Sequence, residues 1–168
     1  MDDRHQDDDY RHADAWRPDR TRSSDDWLLE GLLREDHYGP YRFIRVYGTP
    51  HKPVPAPADL APGKRGCCFA NAFRLASVRP DLHYAEGYGT LWGSDTWLHR
   101  HAWCVDSQGW VIDPTWGMDS PLPLALRGLV LPLDLVEPYC RELSRGTLDD
   151  LSVELIAQRL GVRWPVGE

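Results

Sequence analysis

The sequence contains few basic residues and no cluster of them. Its 168 residues include 19 Lys and Arg against 26 Asp and Glu, which gives a formal net charge of -7. Proteins that bind nucleic acid or an anionic membrane surface concentrate positive charge on one face. The composition therefore argues against nucleic-acid and membrane partners.

Long apolar runs are missing too. No stretch approaches the ~20 apolar residues that cross a bilayer. The chain starts with MDDRHQDDDYRHADAWRPDR, which is strongly polar and lacks the continuous apolar segment of an export signal. We expect neither export nor anchoring, and a cytoplasmic location.

Cysteine is scarce, with four residues in the chain, and Cys67 and Cys68 are adjacent. So few cysteines do not make a disulfide framework, and sequence neighbours have poor geometry for a mutual disulfide. We therefore expect free thiols, as is usual in a reducing compartment.

The length suits one domain with a hydrophobic core. Residues 1–23 mix Asp, Arg and His with few apolar groups, a composition typical of a disordered tail. We predict a single domain over residues 24–168. A proline-rich loop is predicted at 50–63, because its prolines lack the backbone donors and helical dihedrals of regular structure.

Hydrophobic periodicity predicts a mixed α+β fold, in which a central helix packs on an antiparallel sheet. Helices are predicted from about residue 24 to 33, from 68 to the Arg79-Pro80 pair, and from a Thr147-x-x-Asp150 capping box to Gly161. Strands are predicted at 41–48, 83–92, 97–106 and 126–132, with a hairpin turn at 107–109.

Cys68 falls at the start of the central helix. A thiol there lies at the positive end of the helix dipole, which favours the nucleophilic thiolate. A thiolate nucleophile also needs an imidazole partner, and the imidazole needs an orienting group on its far nitrogen. His101 and Asp113 lie on the two strands of the predicted hairpin, so strand pairing brings them together. These residues form a candidate Cys-His-Asp triad.

Three short blocks around these residues resemble the transglutaminase-like branch of the papain-like cysteine enzymes. GCCFANA at 66–72 is similar to the family's nucleophile block, HAW at 101–103 to its histidine block, and GWVIDPTW at 109–116 to its aspartate block. The resemblance covers roughly residues 64–132. It implies a papain-like core, with Cys68 as nucleophile, His101 as general base and Asp113 as orienting carboxylate.

The resemblance also implies acyl transfer through a thioester, with no cofactor. Hydrolysis of a peptide or other amide is the preferred reaction, because a small chain has little room for a dedicated amine site. Transamidation or another acyl transfer is the alternative. A catalytically inactive binding module with the same fold is a third reading.

Two departures from the family pattern matter for the chemistry. Residues 55–66 contain neither the Gln nor the aromatic donor that usually completes the oxyanion hole, so Lys64, Arg65 or a Trp N–H is left to supply the second donor. The block also holds two cysteines. The aromatic residue that follows selects Cys68 over Cys67.

Simpler readings of the same residues remain open. His99 lies two positions from His101 on the same strand face and competes for its role. Asp113 could serve only a local turn. A zinc site is a further alternative, disfavoured because adjacent helical cysteines point about 100° apart; its ligands would be Cys67, Cys68, His99 and His101.

Tryptophan is abundant near the candidate triad, at positions 92, 97, 103, 110 and 116. Most tryptophans in short strands fill a core or its rim. We predict substrate contacts for Trp92, Trp97 and Trp103, with Trp103 behind the triad and the other two nearer the cleft.

Overall fold

The computed structural model describes residues 28–32, 39–90, 98–116, 125–142, 146–150 and 153–163. The predicted disordered tail at 1–23 lies outside these residues. Within them the fold is mixed α+β, as predicted. No helix in this part of the chain has the length and apolar character needed to span a bilayer.

The strands form one sheet that closes on itself in the order β1-β4-β3-β2-β5. Their bounds are β1 Thr49–Pro53, β2 His83–Thr90, β3 His99–Val105, β4 Trp110–Ile112 and β5 Ala125–Val130. Four of the neighbouring pairs are antiparallel, whereas β1 and β4 run parallel. The prediction of an antiparallel sheet therefore holds except for β1, whose parallel pairing closes the barrel.

Helices surround the barrel and carry the nucleophile block. Their bounds are α1 Gly39–Tyr47, α2 Cys68–Val78, α3 Leu133–Glu142, α4 Thr147–Asp150 and α5 Val153–Leu160, and residues 28–32 are also helical. Helix α2 packs on β3, where the Cys104 thiol donates to the Ala72 carbonyl oxygen at 3.3 Å. This contact ties the helix that begins at Cys68 to the strand that carries His101.

The strand predicted at 41–48 is wrong, because α1 occupies these residues. Phe43 and Ile44 are both fully buried although they are neighbours in sequence, which one face of a helix allows and a strand pleat does not. The Phe43 and Tyr47 rings lie 5.0 Å apart, the spacing of residues one helical turn apart. The strand-like alternation of aromatic residues in this segment therefore does not reflect a strand.

The loop predicted at 50–63 begins later, since Pro50 and Pro53 lie in β1. Each half of β1 pairs on one side only: residues 49–51 with β5 and residues 52–53 with β4. A proline nitrogen that lacks a hydrogen is tolerated where it faces an unpaired side. Residues 54–64 contain no helix or strand, in agreement with the rest of the predicted loop.

The predicted role of Thr147 as the capping acceptor is wrong, and the Asp150 side chain of the predicted box lies outside the described residues. Thr147 lies inside α4, and its buried Oγ1 has no hydrogen-bond partner within the described residues. Glu86 caps this helix instead, because its carboxylate accepts from the backbone N–H groups of Thr147 at 2.9 Å and Leu148 at 2.8 Å. The cap comes from a strand 61 residues away in sequence.

Two groups of buried side chains fill the protein. The larger group lies between the helices and the outer face of the sheet and includes Leu28, Phe43, Phe73, Tyr84 and Cys104. The smaller group fills the barrel and comprises Ala85, Trp103, Val105, Val111 and Leu126. The barrel is narrow, since a Cβ on Gly128 of β5 would lie only 2.8 Å from the Trp103 indole.

Candidate active site

Cys68 is the first residue of α2 and follows Cys67 at the N-cap position. The Cys67 side chain makes no capping hydrogen bond, and both cysteines are free and half-buried. The first N–H groups of a helix have no partner within it. The Cys68 sulfur therefore lies at the electropositive end of α2, next to backbone donors.

His101 and Asp113 form a buried pair, as the hairpin register predicts. Their closest atoms, His101 Nε2 and Asp113 Oδ2, are 2.7 Å apart, and the two residues are 1 % and 2 % exposed. Asp113 Oδ1 accepts from the backbone N–H groups of Thr115 at 2.7 Å and Trp116 at 3.0 Å. Three hydrogen bonds thus fix the carboxylate that orients the imidazole.

The hydrogen bond to Asp113 determines how the neutral imidazole is protonated. A carboxylate accepts, so Nε2 of His101 carries the hydrogen and Nδ1 is left with a lone pair. Nδ1 is buried and has no hydrogen-bond partner of good distance and angle within the described residues. It is therefore the nitrogen available to a thiol.

The electrostatics link Cys68 to His101. Burial lowers the pKa of His101, but the hydrogen bonds and charges of Asp113 and Cys68 outweigh burial and raise it to about 9. These effects indicate that the Cys68 sulfur lies close to the imidazole. Catalytic hydrogen bonds are often long or poorly aligned before substrate binds. The imidazole holds a proton up to about pH 9.

Two tryptophans flank the imidazole ring. Trp116 stacks on His101 with ring centroids 3.5 Å apart and planes 5° apart. Trp103 lies on the same strand face, with its centroid 6.0 Å from the imidazole. Flat aromatic surfaces exclude water and prevent the ring from rotating about its bonds. His101 is therefore held in the orientation that Asp113 sets.

His51 fixes the deeper of these tryptophans. The Trp103 indole N–H donates to His51 Nδ1 at 3.0 Å, so the hydrogen of His51 resides on Nε2, which is 3.0 Å from Thr49 Oγ1. Burial and the charge of Arg127 lower the pKa of His51 to about 4. His51 is a neutral acceptor near neutral pH.

Sequence analysis missed the supporting roles of His51 and Trp116. Trp116 was within reach of prediction, because it ends the aspartate block three residues after Asp113. No local pattern marks His51, which lies in the proline-rich segment and meets Trp103 across 52 residues of sequence.

The structure brings Cys68, His101 and Asp113 to one place in the fold. Trp103 is fully buried under the imidazole, so it has a supporting position instead of the substrate contact predicted for it. Its N–H is committed to His51, which removes it from the candidates for the oxyanion hole. The predicted substrate contacts Trp92 and Trp97 lie outside the described residues.

His99, the alternative to His101, has different neighbours. His99 lies edge-on to Trp116, with ring centroids 6.0 Å apart, and its Nε2 is buried without a hydrogen-bond partner among the described residues. Asp113 bonds to His101. Among the residues that the structure describes, no three His, Cys, Asp or Glu side chains form a group that could hold a metal ion.

Comparisons with known proteins add no relative to this description: no family model, curated protein or solved structure matches the chain significantly.

Proposed function

We propose that the protein is a thiol-dependent acyl-transfer enzyme with a papain-like, transglutaminase-like core, and that it hydrolyses a peptide or other amide bond. Cys68 is the nucleophile, His101 the general acid and base, and Asp113 the orienting carboxylate. The observation that carries the proposal is the buried 2.7 Å contact between His101 and Asp113, which leaves Nδ1 for the thiol.

The protonation of His101 supports this assignment. Its pKa of about 9 means that the imidazole is positively charged at neutral pH. A positive imidazole beside Cys68, together with the helix dipole, stabilises a thiolate on the sulfur. The proposed nucleophile is the Cys68 thiolate beside this imidazolium.

In the first half of the reaction, the Cys68 thiolate attacks the amide carbonyl carbon and forms a carbon–sulfur bond. The imidazolium gives its Nδ1 proton to the amide nitrogen, the carbon–nitrogen bond breaks, and the amine leaves. The products of this half are a thioester on Cys68, a free amine and a neutral His101.

In the second half, His101 Nδ1 takes a proton from a water molecule while the water oxygen attacks the thioester carbon. The carbon–sulfur bond breaks, the acid is released, and the thiolate and imidazolium are restored. Asp113 keeps its charge throughout and stabilises the imidazolium in both directions.

The negative oxygen of each tetrahedral intermediate needs donors. The Cys68 backbone N–H at the start of α2 is positioned to supply one of them, and each such donor is worth ~3 kcal/mol of transition-state stabilisation. Lys64 and Arg65, both exposed shortly before the nucleophile, and a Trp N–H other than that of Trp103 remain candidates for the second.

An activated ester tests the proposal without knowledge of the natural substrate. We expect p-nitrophenyl acetate to acetylate Cys68, with the thioester located by peptide mass spectrometry. Cys68→Ser should abolish the thioester, and His101→Ala should slow acetylation by ~10²- to 10⁴-fold. Adding a labelled amine then separates hydrolysis from transamidation by the product that carries the label.

Cys67→Ser is the matched control, because Cys67 is the adjacent thiol with similar exposure. It should be acetylated at Cys68 as fast as the wild type. Acetylation that is lost in Cys67→Ser, or a wild-type rate no higher than that of an ordinary exposed thiol, would contradict the proposal.

A further inference from the structure

Asn71 lies three residues after Cys68 in α2, which places the two side chains on the same face of the helix. Its side chain is buried, with 4 % of the residue exposed. A buried amide must satisfy its polar groups inside the protein, so its partners indicate what it holds in place.

The Asn71 amide nitrogen joins two separate segments. Nδ2 donates to the Lys64 carbonyl oxygen at 2.8 Å and to Thr115 Oγ1 at 3.0 Å. A carbonyl oxygen only accepts, so the amide orientation is fixed and the Thr115 hydroxyl must accept from Asn71. Lys64 leads into the nucleophile, whereas Thr115 belongs to the turn after β4.

Thr115 connects this amide to the His-Asp pair. The Thr115 backbone N–H donates to Asp113 Oδ1 at 2.7 Å, and Asp113 Oδ2 is 2.7 Å from His101 Nε2. A continuous path of short contacts therefore runs from Asn71 through Thr115 and Asp113 to the imidazole.

The loop before α2 and the turn after β4 also contact each other beside the Asn71 amide. The Gly63 N–H donates to the Pro114 carbonyl oxygen at 2.8 Å. Gly63 also lies against the amide plane, since a Cβ on it would be 2.4 Å from Asn71 Cγ and Nδ2. Only glycine fits there without displacing the amide.

The acceptor atom of the same side chain is left without a partner. Asn71 Oδ1 is buried and makes no hydrogen bond within the described residues. An unsatisfied buried acceptor is destabilising, so this oxygen is not what the asparagine contributes to stability. The two donated bonds, and hence the position of the segments they join, are what the asparagine supplies.

We propose that Asn71 is a positioning residue that sets the distance between the Cys68 sulfur and His101 Nδ1 by fixing the start of α2 to the Asp113 turn. The inference rests on the proposed function, because it concerns the same thiol and imidazole. A displacement of about 1 Å between reacting groups costs ~10²-fold in rate, so a single well-placed tie has a measurable effect.

Thr115→Val and Thr115→Ser form a matched pair that tests the tie at its far end. Valine has nearly the shape of threonine but lacks the acceptor oxygen, and serine keeps the oxygen. We expect Thr115→Val to lower the rate of Cys68 alkylation by iodoacetamide by ~10-fold or more. Thr115→Ser should recover most of that rate.

The pH profile separates positioning from a purely structural role. If the thiol moves away from the imidazole, Cys68 no longer helps to hold the proton on His101. The imidazolium then stabilises the Cys68 thiolate less, so the rise of the alkylation rate with pH should begin at higher pH in Thr115→Val. Asn71→Asp, which cannot donate to Lys64, should shift the profile in the same direction.

Circular dichroism and thermal unfolding establish that each variant is folded at the assay temperature. Folded Thr115→Val and Asn71→Asp proteins that alkylate at the wild-type rate and with the wild-type pH profile would overturn the positioning role. A wild type without a fast thiol would instead overturn the proposed function itself, so the two failures are distinguishable.

Discussion

Two carboxylates are buried in the part of the chain that the structure describes, Asp113 and Glu86, each 2 % exposed. Both accept two backbone N–H groups: Asp113 from the turn after β4, and Glu86 from the first residues of α4. Each also bonds to one side chain, His101 Nε2 at 2.7 Å for Asp113 and the Tyr84 hydroxyl at 3.0 Å for Glu86.

A cysteine lies beyond each side-chain partner, and here the two sites differ. Cys140 is fully buried, 3.5 Å from the Tyr84 hydroxyl, and burial raises the pKa of its thiol to about 12. Cys68 is half-buried at a helix start, beside an imidazole whose pKa is raised to about 9. A phenol cannot hold a positive charge near a thiol, whereas an imidazole can.

The comparison shows that two buried carboxylates with similar hydrogen bonds can lead to thiols in different electrostatic surroundings. The intervening group must carry a proton in its positive form and release it near neutral pH. Asp113 orients an imidazole near a thiol, whereas Glu86 caps a helix. Cys140 is an internal reference thiol of low reactivity.

Asp113→Asn is expected to have the largest effect. The introduced asparagine can keep the two backbone hydrogen bonds, but its amide nitrogen would donate to His101 Nε2, which forces the imidazole hydrogen onto Nδ1. Nδ1 then cannot accept a proton, and the acylation rate should fall by ~10²- to 10⁴-fold. Stopped-flow acylation of the wild type and variant measures this change.

The same variant should also move the pH profile. Asp113 is one of the two residues that raise the pKa of His101 to about 9, so its neutralisation lowers that pKa, weakens the imidazolium that stabilises the thiolate, and moves the rise of the acylation rate to higher pH. Cys140→Ser is the control and should change neither rate nor profile. An Asp113→Asn protein with wild-type kinetics would remove the distinction between the two carboxylates.

Glu86→Ala should have the opposite pattern, with lower stability and a retained reactive thiol. The substitution leaves the N–H groups of Thr147 and Leu148 without their acceptor, and unsatisfied buried donors cost ~1–3 kcal/mol each. Urea unfolding measures the loss, and iodoacetamide alkylation at low temperature measures the thiol. Loss of fast alkylation in a folded Glu86→Ala protein would show that the two sites are coupled.

Glu86→Gln should produce the smallest effect, a change in how stability depends on pH. Burial raises the pKa of Glu86 in the folded protein above its ordinary value of 4.5, although its hydrogen bonds oppose the rise. The folded state then holds this proton more tightly than the unfolded chain does. The contribution is fully present below pH 4.5 and is lost as pH rises through the folded pKa.

Urea unfolding at a series of pH values above 4.5 measures the contribution, because glutamine cannot titrate. The stability of the wild type relative to Glu86→Gln should decrease with rising pH. A relative stability that stays constant or increases over this range would mean that Glu86 is ionised as easily in the folded protein as in the unfolded chain.

The parts of the fold that the sequence predicted are those with strong local patterns. The apolar spacing after Cys68 predicted α2, and the turn at 107–109 predicted the hairpin that joins His101 to Asp113. These elements carry the candidate triad. Its geometry was therefore accessible from residues that are close in sequence or lie on paired strands.

The parts that sequence analysis missed depend on distant contacts. Residues 39–47 form a helix because Phe43 and Ile44 both pack into the core. Pro50 lies in a strand because β1 pairs with β5 to close the barrel. The true cap of α4 comes from β2, and the amide of Asn71 meets Thr115 across 44 residues. No window of local sequence contains both partners of such a contact.

The narrow bore at Gly128 has a consequence for engineering the protein. The Trp103 indole already fills the space beneath His101 in the candidate active site. Space for a larger acyl group could not be made beneath His101 by substitution without displacing the imidazole. New selectivity would have to come from other residues around the site.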